Sequence, residues 1–552
     1  MMSLLPTGGS RRISTSNRET AMRMFKALAG VALGVALATT SAVYAATPKD
    51  TLVVADALDD VKTLDPGEVS EVAGVLISQQ LYQPLVTFDI NDPTKIVPVL
   101  AKSWTVSADG KTFTFKMNRD AKFSSGNPVT AYDAEFSLQR PVLLNTRISF
   151  ILTQFGLTKD NVKENIKALD DDTLQFTVDQ QYAPSFVLYV LSSYTGGIVD
   201  SKTVKAHDVN GDLGNAWLKT DNSAGSGPYV LTKWNPKASI LLSKNPNFWQ
   251  TPPGVAKVFF QQMPESAAER LALEKGDIDV ANKLSPDDFA AIAGNKDITV
   301  QTGNDTTIYY FGLNLRNENL KNPKVVEAIK YLVDYKGIAD TIGKGNVKVH
   351  QTMIPDGFLG GGINYEPYKF DLDKAKQLLA ESGVKLPFTL DTVVWNAPPY
   401  PDYAQAVQST LAQAGINLNL IVVDGQQWLD RYRSHNLDIW FGLWGPDYPD
   451  PQSNAKTFTV NDPTDPDGKG NLADRFGWNS GDLSNQVLAA VREQDVDKRR
   501  AQYESIEKAQ ADASPFVYMF QGTRKVGVRS NVKGLVLGFT YSDDRYGAVS
   551  KE

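Results

Sequence analysis

Leu437-Asp438-Ile439-Trp440-Phe441-Gly442-Leu443-Trp444-Gly445-Pro446-Asp447-Tyr448-Pro449-Asp450-Pro451 is the stretch whose reading decides the fold. The apolar run from Leu437 to Trp444 predicts a buried strand. It breaks into a turn carrying two acids and three prolines, residues that punctuate chains. Asp447 is thereby suspended just beyond a strand end, beside Trp444. Ligands of open α/β sheets gather at strand ends, so this carboxylate is a candidate for the charged end of a small ligand.

Working outward from that strand, the texture from about Thr306 alternates. Val325 to Val333 and Asp373 to Glu381 read as helices, the second closed by Gly383. Leu390 to Trp395 is a strand, Ala404 to Ala414 a helix capped by Gly415, Ile416 to Val423 a strand, and Gln427 to Ser434 a helix. Short links between alternating strands and helices predict parallel pairing with right-handed crossovers. Beyond the Pro-rich turn, Asn454 to Gly481 reads as a long polar insertion, followed by a helix around Arg492 to Ala511. Phe516 to Phe520 and Val526 to Leu537 read as strands that complete the sheet of an earlier lobe. The two lobes then share more than one crossing, which is how a hinge is built.

On the amino-terminal side, Thr51 to Ala55 reads as a strand and Glu71 to Tyr82 as a helix. Trp104 to Ser107 and Thr112 to Met117 flank Asp109-Gly110, and Phe113, Phe115 and Met117 alternate with Thr114 and Lys116, a hairpin with one buried face. Thr130 and Asp133 resemble a capping box, opening a helix that Pro141 is expected to end. Leu174, Phe176 and Val178 alternate as a strand. Pro184 to Tyr194 is apolar throughout, so periodicity leaves helix and strand open. Gly225-Ser226-Gly227-Pro228-Tyr229 reads as a flexible crossing between lobes, leading into a hairpin of Val230 to Trp234 and Ser239 to Lys244. Glu265 to Lys275 is a helix stopped by Gly276, before a strand Ile278 to Ala281.

The 552 residues call for several lobes, and 42% hydrophobic content fits sizeable cores. Cysteine is absent, which removes disulfides, thiolate metal sites and cysteine nucleophiles. His207, His350 and His435 form no metal motif. Arg23 and Lys26 precede an apolar run from Ala27 to Ala38, and Val43-Tyr44-Ala45 supplies small residues. That is a secretory signal peptide, with cleavage expected after Ala45 and Met22 or Met24 as its more natural start. The run is too short to span a membrane, and no cysteine follows it to take a lipid. A free periplasmic protein is expected. Loss of residues 1–45 removes five basic residues and one acid, so the formal charge moves from −7 to −11. An acidic chain without a basic stripe excludes nucleic acid as a partner.

Catalytic motifs are missing. No Gly-x-Ser-x-Gly elbow, His-Glu-x-x-His, phosphate loop or strand-linked Gly-x-Gly-x-x-Gly occurs. Gly360-Gly361-Gly362 lacks the Lys-Ser/Thr of a phosphate cradle. Asp447 and Asp450 could serve as paired glycosidase carboxylates, but acids three apart in a Pro-rich turn are more often turn formers. Asp50 to Asp60 and Asp462 to Asp467 lack the regular spacing of calcium ligands. Neither a cofactor nor a metal is called for, and the chain reads as a binding protein, not an enzyme.

Several blocks resemble one family. They are Val97-Pro98-Val99-Leu100-Ala101-Lys102-Ser103-Trp104, Asp109 to Phe115, Lys122-Phe123, Pro128 to Asp133, Gly225 to Tyr229 with Asn245-Pro246-Asn247-Phe248-Trp249, Asp371 to Gly383, and Trp444 to Pro451. Together they resemble the periplasmic oligopeptide- and dipeptide-binding proteins, the family-5 (cluster C) solute receptors of ABC importers. The resemblance implies an α/β, two-lobed periplasmic binding protein fold (type II) with a hinge and an extra domain inserted in lobe one. Mapped here, lobe one covers 46–88, 222–305 and 520–552, the insertion 89–221, and lobe two 306–519. It implies a monomer that closes on its ligand and docks on the permease. In peptide-binding members the aspartate of the Trp-x-x-Asp turn pairs with the peptide ammonium, which places that role on Asp447 with Trp444 beside it. Trp395 and Asn396, ending the Leu390 strand, and Tyr310, on the strand opening lobe two, are further candidates for the ligand wall. No residue stands out to hold a peptide carboxylate. Relatives that carry nickel complexes, oligosaccharides, haem or opines keep other cargo as an alternative, and a secreted hydrolase using Asp447 or another acid is a third reading.

Overall fold

The computed structural model describes residues 47–89, 92–462, 470–540 and 543–552; the expected signal peptide lies outside them. One mixed sheet of eleven strands organises the chain. In chain order these are β1 (Thr51–Asp56), β2 (Tyr229–Asn235), β3 (Ser239–Lys244), β4 (Lys257–Gln262), β5 (Val280–Ala281), β6 (Ile298–Leu313), β7 (Val347–Val349), β8 (Phe388–Trp395), β9 (Ile416–Val423), β10 (Ile439–Trp444) and β11 (Phe516–Arg529). Their spatial order is β9-β8-β10-β6-β11-β5-β1-β4-β3-β2, with β7 on β11.

The alternating half behaves as its pattern predicts. β8 pairs in parallel with both β9 and β10. On the other side, β1 pairs in parallel with β4 and β5. The two halves are joined by β6 and β11, sixteen and fourteen residues long, antiparallel over nearly their whole length. Their register shifts between Asn304 and Ile308. At that bulge the Asp305 carboxylate accepts the Thr307 N–H at 2.8 Å, and Gln521 Nε2 donates to the Asp305 carbonyl at 2.9 Å. A bulge bends and twists a strand, so the two sheet halves meet at a built-in kink. Trp444 at the end of β10 pairs with Ile308, and Ala281 at the end of β5 pairs with Gly527. The carboxyl ends of both parallel sets therefore point towards this joint.

Three expectations change here. Phe516 to Phe520 and Val526 to Leu537 are not two separate strands. One continuous strand, β11, ends at Arg529; its first part pairs with Tyr309 to Gly312 and its last part with β5. The helix Ala131–Leu144 runs three residues past Pro141, ending in left-handed Asn145. Proline in the last turn removes one hydrogen bond without blocking the residues that follow, and Arg140 is anchored by Asp65 at 2.7 Å. Gly225-Ser226-Gly227 is packed, not loose: a Cβ on Gly225 would lie 1.9 Å from the Leu81 carbonyl oxygen. Gly225→Ala is thus expected to destabilise the protein by about 1–3 kcal/mol through overpacking, read as a lower urea midpoint.

The open segment Pro184–Ser192 is a helix with proline in its first turn. Its buried face joins Phe113, Phe115, Leu174 and Phe176 in a core of its own beside the antiparallel strands Ala101–Val106, Thr112–Met117, Ile166–Asp170 and Thr173–Thr177. Other cores lie along the two ends of the large sheet. One is built on Leu52, Val54 and Phe260, another on Phe311, Leu390 and Phe441.

Candidate ligand site

The turn after β10 is fixed from both sides. Pro451–Thr459 is a helix, not part of a polar insertion as its composition suggested, and seven of its nine residues are buried. Asp450 caps it, accepting the Gln452 N–H at 2.9 Å, and Pro451 takes the first helical position. The Asp450 carboxylate also receives two bonds from Arg499 at 2.7 and 2.8 Å, and both side chains are 0% exposed. Burial opposes the Arg499 charge, but Asp450 and Tyr503 beside it raise its pKa on balance. Asp450 is thus a helix cap inside a closed ion pair, which leaves no second free carboxylate to act with Asp447.

Asp447 is placed differently. Its N–H donates to Ser453 Oγ at 3.0 Å, tying the turn to the helix. Among the described residues no hydrogen bond or ion pair reaches its carboxylate. The group is half-buried, and burial pushes its pKa up to about 7. Trp444 stands at the adjoining strand end, edge to face with Phe458 at 6.2 Å, its indole N–H buried without a partner among the described residues. The unpaired Asp447 carboxylate can take an ammonium, while the Trp444 indole N–H, three residues earlier, is a buried donor.

Trp395 ends β8, the neighbour of β10, and shares this carboxyl edge. It is half-exposed and stacks on Trp428 at 5.5 Å, which stacks on Trp440 at 4.4 Å. Asn396 follows with an exposed side chain, its N–H on the Val423 carbonyl at 2.9 Å. Four of the five candidates therefore lie along one sheet edge. Tyr310 does not belong with them. It is 0% exposed, ringed by Phe458, Phe516 and Trp440 at 5.0, 5.8 and 5.9 Å, so it forms the core behind the edge. β6 turns its side chain inward at the position that pairs with Gly442.

Tyr448, which the composition did not single out, reaches away from Asp447. It packs on Phe186 with ring centres 5.7 Å apart, and its hydroxyl bonds Gln154 Oε1 at 3.2 Å. The Pro184 helix thereby covers the turn. Ser453 and Arg499 were also missed. The Asp450-Pro451 pair is a helix-start signal that would have found the helix, but nothing in sequence pairs residues 450 and 499. A surface cavity of about 670 Å³ lies elsewhere, between Gln79, Gln83, Val97, Gln250 and Arg545. None of the five candidate residues lines it.

Two sheet halves joined by kinked strands, with strand ends and an open carboxylate facing the joint, define the class of two-lobed solute-binding proteins. The chain matches the bacterial extracellular solute-binding proteins, family 5 Middle, over residues 95–465, and it belongs to that family. It is 30% identical over 500 residues to the "Probable D,D-dipeptide-binding periplasmic protein DdpA" of Escherichia coli strain K12, covering 89% of this chain and 92% of that one. The dipeptide-binding protein of the same organism is 23% identical over 83% of this chain and 87% of its own length. Its fold is that of the ABC transporter-associated periplasmic binding protein DppA from Helicobacter pylori in complex with the peptide STSA. There the TM-score is 0.76 at 24% identity, over 91% of this chain and 98% of that one.

Proposed function

We propose that this protein captures short peptides between its two lobes and delivers them to the membrane permease of an ABC importer. The observation that carries the reading is Asp447: a half-buried carboxylate at the end of β10, unpaired among the described residues. Enclosed with an ammonium, such a carboxylate forms a short charge-assisted hydrogen bond. The dipeptide and peptide ligands named for the relatives agree with this chemistry. Trp444, Trp395 and Asn396 form the wall. Lobe one spans about 46–88, 222–305 and 520–552, and lobe two about 306–519, with 89–221 inserted. Closure turns on the bulge at Asp305 to Thr307, and bond chemistry plays no part. The chain is exported by cleavage after Ala45 and works as a monomer.

The test is mass spectrometry of whatever the purified protein releases on denaturation. Intact peptides with free amino termini are expected. Recovery of an opine, a sugar or a metal chelate in stoichiometric amount would overturn the peptide reading while leaving the receptor class in place.

A further inference from the structure

The cavity of about 670 Å³ that stands apart from the Asp447 turn has a polarity of its own. One side is the end of the helix Val72–Leu81 with residues from 248–251 and 543–548; the other is Val97 to Val99 with Ser192 to Tyr194. Its volume falls within the roughly 300–1,000 Å³ of small-molecule sites. Val97, Val99, Pro228 and Phe248 give it an apolar lining. Two acids also line it, and both oxygens of each are taken. The Asp544 carboxylate accepts Arg524 Nη2 at 2.5 Å and the Gly538 N–H at 3.1 Å. The Asp543 carboxylate accepts Gln79 Nε2 at 3.1 Å, the Thr540 N–H at 3.1 Å and the Thr540 hydroxyl at 2.5 Å. The open groups are donors. Gln83 Nε2 donates to Gln250 Oε1 at 3.1 Å, which orients the Gln250 amide and leaves its NH2 without an acceptor among the described residues. The Arg545 guanidinium has one long hydrogen bond, from Nη2 to Thr87 Oγ1 at 3.4 Å, and no ion pair with a described carboxylate. A guanidinium and an amide NH2 lining one cavity call for an anion. The Asp543 and Asp544 charges beside them repel a second negative charge, which favours a carboxylate over a phosphate dianion.

We infer that this cavity is a second ligand site, which takes a small carboxylic acid with an apolar body, its carboxylate held by Arg545 and Gln250. A bound acid ties the carboxyl-terminal segment to the chain around Val97, and so stabilises the fold by mass action. The site is independent of the peptide reading, because it shares no residue with the Asp447 turn.

The experiment is titration calorimetry of the exported protein with 4-phenylbutanoate, its neutral amide and phenyl phosphate. Wild type, Arg545→Gln and Asp447→Ala are compared. Wild type is expected to bind the acid about tenfold or more tighter than the amide, with phenyl phosphate weaker than the acid. Arg545→Gln should lose that factor for the acid and leave the amide unchanged, whereas Asp447→Ala should bind the acid as wild type does. Wild-type affinity equal for acid and amide, or no saturable binding of the acid, would overturn the site without recourse to any variant. Loss of acid binding in Asp447→Ala would move the acid to the Asp447 turn and remove the cavity as its site. Phenyl phosphate binding tighter than the acid would overturn the carboxylate assignment.

Discussion

Asp447→Ala is expected to weaken binding of a free-amine peptide by two orders of magnitude or more. An ammonium closed into the cleft without its carboxylate is an uncompensated buried charge, worth roughly 3–5 kcal/mol at about 1.4 kcal/mol per tenfold in affinity. N-acetylated peptide, with no ammonium to lose, should bind wild type and variant alike. Unchanged calorimetric affinity of the variant for the natural ligand would remove Asp447 from the site.

The same carboxylate predicts a pH dependence. With its pKa raised to about 7 by burial, Asp447 must give up a proton to pair with an ammonium. Affinity should fall by up to about tenfold per pH unit below 7, whereas Asp447→Asn should bind weakly and without that slope. A peptide amine titrates near pH 8, so binding should be strongest just above neutrality. Stability follows the opposite sign. A carboxyl whose pKa is raised on folding costs nothing below its unfolded value near 4, and its penalty grows as pH rises through about 7. Asp447→Asn should therefore melt above wild type at pH 8 and alongside it at pH 4. A variant that melts below wild type at pH 8 would show that the carboxylate is paired in solution.

Arg499→Ala is expected to cost about 3–5 kcal/mol in stability, because it leaves Asp450 buried with no counter-charge. Arg499 also donates to Ser185 Oγ at 3.1 Å and to the Ala490 carbonyl at 3.2 Å, so its loss opens the seam between the turn and the Pro184 helix. The double variant Asp450→Leu/Arg499→Met should recover most of that loss, since an apolar pair of similar volume avoids an orphaned charge. Urea unfolding followed by circular dichroism reads both. A single variant as stable as wild type would show that the pair carries no structural role.

Much of the fold was legible because local patterns and tertiary packing agree. Phe113, Phe115 and Met117 alternate in sequence and are buried in the structure. Gly276 and Gly383 end their helices in the left-handed conformation that glycine favours. The place of Asp447 was legible for the same reason: an apolar strand running into Pro446-Asp447 leaves that side chain beyond the sheet. Tyr310 was misplaced because Ile308 to Leu313 is apolar throughout and buried on both faces, so the sequence there does not separate a ligand wall from core. Pro451–Thr459 was misread because its polar residues are buried by partners far along the chain, as Asn454 is by the Met353 carbonyl at 2.6 Å.

The sequence by itself determined the strand–helix order, the carboxylate beyond β10, the absence of catalytic motifs and the expectation of export. These depend on spacing within a few residues, which the chain carries wherever it folds. Only the tertiary structure decided that β6 and β11 run unbroken through both sheet halves, and that Asp450 is closed by Arg499 while Asp447 stays open. Those facts depend on contacts between residues far apart in the chain. Whether a charge is paired or left open for a ligand is a property of its surroundings, and the surroundings exist only once the lobes are folded.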